Sequence, residues 1–178
     1  MQAYVEGDAE AFQRLFDALA PAVHAFFVRT LRDPAVGDDL TQTTFLKMHA
    51  SRRQWRRGNG VRPWIFSIAA HVRADWLRSR GRDATEPYDD EAMSSADSAE
   101  DPGAAAGRRE RGERVRAALE SLTEPQRIVV HLHRFEGLAF AEIGTILGIS
   151  EGAAKLRAFR AYEELRKRLG DLAGEETP

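Results

Sequence analysis

Apolar residues recur every three or four positions over most of the chain, which predicts helix after helix and no β-hairpin. Phe12, Leu15, Phe16, Leu19, Val23, Phe26, Phe27 and Leu31 form the first series, with Asp8 placed to cap it. Pro21 falls inside that series and predicts a break or kink, because proline lacks the amide an interior turn needs. Asp33-Pro34 predicts a restart: an N-cap followed by proline at the first helical position, then helix through Leu40, Phe45 and Leu46. Arg57-Gly58-Asn59-Gly60 reads as a loop. Trp64, Ile65, Ile68, Val72 and Trp76 set the next helix, expected to persist to about Arg80. The pattern resumes near Arg108 with Val115, Leu119 and Leu122. Thr123 and Gln126 then have capping-box spacing ahead of a helix through Ile128, Val129 and Leu132 that leads to Glu136-Gly137.

Residues 137–162, GLAFAEIGTILGISEGAAKLRAFRAY, carry the most specific pattern. Ile143, Ile146 and Leu147 give a first helix an apolar face. Gly148 stands where a turn needs tolerance of positive φ, Ile149 pins that turn to the core, and Ser150 is placed to cap a second helix. On that helix Ala154, Ala158, Ala161 and Leu165 share one face, and Lys155, Phe159, Arg160 and Glu163 share another. Such a helix-turn-helix can place its second helix in a DNA major groove. The same spacing also fits an ordinary helical hairpin with a solvated basic face.

Between these helical stretches, residues 81–107 (GRDATEPYDDEAMSSADSAEDPGAAAG) have low hydrophobicity and scattered Pro, Gly and Ser, the composition of a flexible linker. Charge sharpens that division. The net charge of −2 hides +5 over residues 1–82, −8 over 83–107 and +1 over 108–178. The fold class expected is all-α: two small helical domains, 1–82 and 108–178, joined by a flexible acidic linker, 83–107, with the helix-turn-helix in the second. An apolar fraction of 43% is enough to build cores. No run of about 18 apolar residues occurs, and the polar, acidic N-terminus does not read as a secretory signal. The chain has no cysteine, which excludes disulfides and thiolate metal sites and makes a reducing cytoplasm the expected compartment.

From Arg52 to Arg82 there are nine arginines against one acidic residue, Asp75, and all three tryptophans (Trp55, Trp64 and Trp76) lie in the same window. Guanidinium groups bind phosphates and planar rings receive unstacked bases, so this suits single-stranded or distorted nucleic acid. Trp64 and Trp76 also fall on one stripe with Ile68 and Val72, which favours a core role for that pair. Asp38-Asp39-Leu40-Thr41-Gln42-Thr43-Thr44-Phe45 fits either helix capping with core burial or a protein-docking face. The five histidines, His24, His49, His71, His131 and His133, form no metal-binding motif. Neither a GxSxG nor a phosphate-cradling GxxxxGK is present. No enzyme, no metal site and no cofactor are expected.

Four of these segments, in this order, resemble the bacterial sigma factors of the extracytoplasmic-function type. Asp39 to Phe45 is similar to the D-L-x-Q-E-x-F segment of that family, with Thr43 in place of Glu. Trp64 to Arg78 is similar to W-L-x-x-I-A-x-N-x-x-x-D-x-x-R, with His71 in place of Asn. Ala118-Leu119 and Leu122 to Arg127 resemble the helix pair before the helix-turn-helix, and Glu136 to Ala161 resembles the helix-turn-helix signature. There Ala139, Ala153 and Leu156 replace Ser, Thr and Ser.

The resemblance implies a transcription initiation factor in the cytoplasm. Asp38, Asp39, Leu40, Gln42, Thr43 and Phe45 would dock on core RNA polymerase, at the beta-prime clamp helices, with the beta subunit also contacted. Arg62, Trp64, Ala70, His71, Arg73, Ala74, Asp75, Arg78, Arg80 and Arg82 would read and melt the −10 element. Ser150, Glu151, Gly152, Lys155, Leu156, Arg157, Phe159 and Arg160 would read the −35 element. Promoter DNA and an anti-sigma factor are the other implied partners, without membrane insertion or a small-molecule substrate. The 25-residue linker reaches roughly 85 Å extended and about 28 Å as a relaxed coil. Promoter elements about 20 base pairs apart lie roughly 70 Å apart, so the linker would be stretched on the polymerase. Two rival readings are a helix-turn-helix regulator acting without core polymerase and a sigma-like module that titrates an anti-sigma factor.

Overall fold

Two aspartates start the first helices. Asp8 accepts from the Ala11 amide at 3.0 Å and opens a helix over Ala9–Leu31, and Asp33 accepts from Val36 at 3.0 Å and opens Pro34–Ser51. These are α2 and α3, after a short α1 over Gln2–Val5. The computed structural model describes the backbone of residues 1–83 and 102–173, and side chains over 1–80 and 110–170. Of the break or kink expected at Pro21, no break occurs: α2 runs through it as one helix. Only one backbone bond is lost there, and buried residues on both sides, Leu19, Val23, Phe26 and Phe27, hold the rod together. A short 3-10 turn, Arg52–Gln54, and the loop carrying Gly58 at φ 96° lead to α4, Val61–Asp83.

The helix after the acidic segment, α5, spans Pro102–Glu120. It therefore claims residues 102–107, which the composition assigned to the linker; proline suits a helix start and Ala104, Ala105 and Ala106 are strong helix formers. The rest of the linker, 84–101, lies outside the described residues. α6, Glu124–Val130, begins at the expected capping box: Gln126 Oε1 accepts from the Thr123 amide at 2.9 Å and from its hydroxyl at 2.8 Å. It continues as a π-turn over His131–Phe135. The helix-turn-helix follows as α7, Phe140–Leu147, and α8, Glu151–Ala173.

α1 to α4 form one module and α5 to α8 the other, and no strand occurs among the described residues. The two modules share a core. Val23, Phe26, Phe27, Met48, Ile65, Phe66 and Ala69 of the first are contiguous with Val129, Leu132 and Ile143 of the second, and all are wholly buried. α4 packs on α7, and α2 packs on α6. His131 is the joint: its ring lies edge-on to Phe26 at 5.3 Å, 6.4 Å from Phe66 and stacked on Phe135 at 5.4 Å.

Candidate core-docking and nucleic-acid faces

The first face is a groove between α2 and α3. Leu40, Thr41 and Phe45 point inward and are buried, while Asp38, Asp39 and Gln42 are exposed and Thr43 is half-buried. One residue on, Leu46 is 65% exposed, and Phe16 on α2 lies tilted against Phe45 at 4.7 Å and is 37% exposed. Together with Phe12 and Pro21 they line a groove of about 970 Å³. Its edge is set by His24, whose Nε2 is 3.2 Å from Asp38 Oδ1. Thus Leu40, Thr41, Thr44 and Phe45 fill the core, while Asp38 and Gln42 stand exposed beside the apolar groove. Neither Leu46 nor Phe16 stands among the docking residues expected from the sequence; Leu46 carried a signal, an apolar side chain out of phase with the buried face of α3, while Phe16 is in phase with that of α2 and carried none.

The second face is α4. Its wholly buried positions are Ile65, Phe66 and Ala69, with Val72 close behind. Trp64, Ile68 and Trp76 are half-buried against that core, so the buried stripe is rotated toward Ile65 and Phe66 from the expected one. Trp55 is half-buried too, and its indole donates to the Asn59 carbonyl at 3.2 Å. Of the remaining residues, His71, Ala74, Asp75, Arg78 and Arg80 are exposed and Ala70 is half-buried. Arg80 stacks over Trp76 at 4.8 Å. Asp75 accepts from Lys47 at 3.2 Å and also from Arg78, and these hydrogen bonds hold its carboxyl below the usual range. The Arg82 side chain lies outside the described residues. Arg73 departs most from expectation: it is 3% exposed, donating to Glu124 Oε1 at 2.8 Å and to the Thr30 carbonyl at 3.3 Å.

The third face is the outer side of α8. Gly148 takes φ 65° and ends α7 in the left-handed region, and the Ser150 hydroxyl accepts from the Ala153 amide at 3.1 Å. Gly144 fits against the turn so closely that a Cβ there would sit 2.8 Å from the Ile149 carbonyl oxygen. Ala139 has no side-chain oxygen to cap α7, so only Glu142 does so, accepting from the Ala139 amide at 2.8 Å. Ala154, Ala158 and Ala161 are buried as their spacing predicts. Ser150, Glu151, Gly152, Lys155 and Arg160 are exposed, with Leu156 at 48% and Phe159 at 61%. Arg157 instead turns toward the first module and lines a cleft of about 370 Å³ with Ala70, His71, Arg73 and Ala74.

Ion pairs between the modules include two that join α4 to the second module. Arg62 Nη1 is 2.5 Å from Glu136 Oε2, whose side chain is 3% exposed. Arg73 meets Glu124, as above. His131 Nε2 is 3.2 Å from Glu136 Oε1 but makes no aligned hydrogen bond, and burial pushes its pKa down against the pull of that carboxylate. Arg29 lies 4.3 Å over the Phe135 ring. Among the described residues no cluster of His, Asp or Glu gathers as a metal site, and no helix is long and apolar enough to cross a membrane.

An apolar groove on one helical module and a helix-turn-helix with an exposed outer face on the other describe a bipartite helical protein of the nucleic-acid-binding type. Comparison with known proteins gives that class its family. The family described as "Sigma-70 region 2" matches residues 15–83 and "Sigma-70, region 4" matches 112–165. RNA polymerase sigma factor CarQ of Myxococcus xanthus is 40% identical over 173 residues, covering 97% of each chain. ECF RNA polymerase sigma factor SigF of Caulobacter vibrioides is 33% identical, covering 93% of this chain and 89% of its own. The fold is that of the sigma factor RpoE from Bartonella quintana in complex with the anti-sigma factor NepR, with a TM-score of 0.75 at 23% identity, covering 91% of this chain and 98% of that one. The chain belongs to the extracytoplasmic-function RNA polymerase sigma factors: it is a transcription initiation factor that directs core RNA polymerase to promoters.

Proposed function

We propose that the three faces divide the work of initiation. The α2–α3 groove, rimmed by Asp38, Gln42 and Leu46 with Asp39 exposed nearby, takes an apolar ridge of the core enzyme at the beta-prime clamp helices. Exposed Phe16 and Leu46 at its mouth supply the apolar anchor that a specific docking site needs. The α4 helix, with Arg62, Arg73, Arg78, Arg80 and Arg82, holds the opening strand of the −10 element, and a base is captured near Ala70 to Ala74. The outer side of α8 reads the −35 duplex through Lys155, Leu156, Phe159 and Arg160. The residues 83–107, with eight carboxylates and no cation, span the two modules on the polymerase.

The observation that carries this reading is the two-sidedness of α8. Its alanine face is fully buried, which fixes the helix axis, and so Lys155, Leu156, Phe159 and Arg160 are held outward and exposed, with Lys155 paired only to Glu151 on the same helix at 2.6 Å. Leu156 offers contact to a thymine methyl rather than a hydroxyl's hydrogen bond, which shifts base preference. The chain works by binding and not by catalysis, in the cytoplasm with the polymerase. The anti-sigma partner in the RpoE–NepR complex supports a partner of that kind here. Reconstitution with core polymerase and run-off transcription on genomic fragments tests the reading. Promoter-dependent transcripts are expected, and none from any fragment would refute it.

A further inference from the structure

A cavity of about 520 Å³ lies between the C-terminal end of α2, α5, α6 and the π-turn, apart from the three faces above. Its walls carry two kinds of group. Val28, Val115, Leu119, Val130 and Phe135 make them apolar, with Val115 38% and Phe135 45% exposed. Arg29, Arg32, Arg116 and Arg127 make them cationic, against one carboxylate, Glu120. Among the described residues none of these four arginines stands in an ion pair. Arg32 donates to the main-chain carbonyl of Glu120, not to its carboxylate, and Arg127 donates to the Leu122 carbonyl at 3.0 Å. Arg29 lies 4.3 Å over the Phe135 ring. The buried Arg127 Nε has no partner, and neither ring nitrogen of His131, 1% exposed in the same wall, has a hydrogen bond. Burial, and then the charges of Arg32 and Arg73, hold the Arg127 guanidinium below its usual pKa. The cluster is short of negative charge.

We propose that this cavity binds an amphiphilic organic anion: one carboxylate or phosphate head on a compact aliphatic or aromatic body. The head sits among Arg32, Arg116 and Arg127, whose guanidinium forks match paired anionic oxygens. The body lies along Val28, Val115, Leu119 and Val130. The volume falls within the range of pockets that bury most of a small organic ligand. Both kinds of wall are needed for this assignment. Arginines alone would serve a phosphate backbone, but that ridge needs an open cationic surface and gains nothing from a concave apolar wall. Gly112 adds an independent observation. It stands in the cavity wall on α5, where a Cβ would meet nothing within 4 Å. Most other residues would make a more stable helix there, so packing does not call for glycine; its effect is to leave the cavity wide. The proposal stands apart from how the three faces divide initiation, and it adds a small molecule to the protein and DNA partners.

Isothermal titration calorimetry on the full chain tests this with octanoate and octyl phosphate. Inorganic phosphate serves as the head alone and octanol as the body alone. Both amphiphilic anions are expected to bind at one site per chain, and the head and the body alone at least tenfold more weakly. Arg116→Gln, at an exposed position, should fold normally and weaken octanoate binding at least fivefold. Gly112→Leu fills the cavity from its open wall, so it should abolish binding while melting no lower than the wild type. Failure of both anions to bind overturns the proposal, as does phosphate or octanol binding as tightly as octanoate. Wild-type affinity in Gly112→Leu places the ligand elsewhere and overturns it too. The carboxylates of residues 83–107 are the rival occupant. Replacing all eight by amides should leave octanoate affinity within twofold, and a tenfold gain would assign the cavity to that segment instead.

Discussion

Arg73 of α4 reaches Glu124 at the start of α6, and the two helices meet around an arginine that the sequence places among strand-binding residues. The guanidinium is 4% exposed and its partner carboxylate 50%. That asymmetry sets the expected cost of cutting the pair. Glu124 rehydrates when Arg73→Ala is made, while the Thr30 carbonyl loses its donor, so the loss is about 2 kcal/mol. Arg73→Lys keeps the charge but cannot serve both acceptors, and an intermediate loss is expected. Urea denaturation of both variants reads the difference, and equal stability to wild type would deny the pair a structural role.

His131 makes stability depend on pH. Burial lowers its pKa below the ordinary value near 6.5, so the closed fold holds it neutral while the unfolded chain takes up a proton near pH 6.5. Its contribution is therefore whole above about pH 6.5 and declines as pH falls from there toward the depressed value, by up to about 1.4 kcal/mol per pH unit. Glu136 and Arg29 are the charged groups facing it, and they act in opposite senses. The urea midpoint should drop between pH 7.5 and 5.5 in the wild type and drop less in His131→Phe.

Gly144 has no room to grow. A Cβ would meet the Ile149 carbonyl oxygen at 2.8 Å, a backbone atom that cannot swing away, because the Ile149 amide is itself bonded to the Gly144 carbonyl at 2.9 Å. Gly144→Ala is expected to cost about 2 kcal/mol and to tilt α8 against α7. Gly152→Ala, where a Cβ would have ordinary space, is the control. Thermal melts compare the two.

Leu156 and Phe159 separate reading from folding. Both are exposed, so Leu156→Ser and Phe159→Ala should change stability by less than about 0.5 kcal/mol. Their effect should appear in promoter choice, as altered preference at the −35 element in run-off transcription with a randomised upstream box. Unaltered preference in both would remove this face of α8 from promoter reading.

Leu46 tests the groove in the same way. At 65% exposure it bears little of the core, so Leu46→Asp should fold normally and bind core polymerase at least tenfold more weakly in a fluorescence anisotropy titration. Wild-type affinity would place the docking site elsewhere.

Local chemistry was legible because it is local. Asp8, Asp33, Gly148 and Ser150 cap or end helices through contacts within a few residues, and the sequence names them directly. The buried alanines of α8 followed from a 3.6-residue period alone. Pro21 shows where that reasoning stops. One missing amide predicts a break or kink, yet no break occurs, because packing of Phe26 against Phe27, Phe66 and His131 outweighs a single lost hydrogen bond.

Two helical modules, the caps that bound most of their helices, a helix-turn-helix with an outward face and the family they belong to all follow from short-range patterns along the chain. Tertiary structure decided which of those faces are free. Arg62 and Arg73 look identical in sequence to Arg78 and Arg80, yet the first two are engaged by Glu136 and Glu124 and the others are exposed. Those partners lie 74 and 51 residues away along the chain. No periodicity encodes such a pairing. It arises only when His131 seats between Phe26 and Phe66 and brings the two modules into one core.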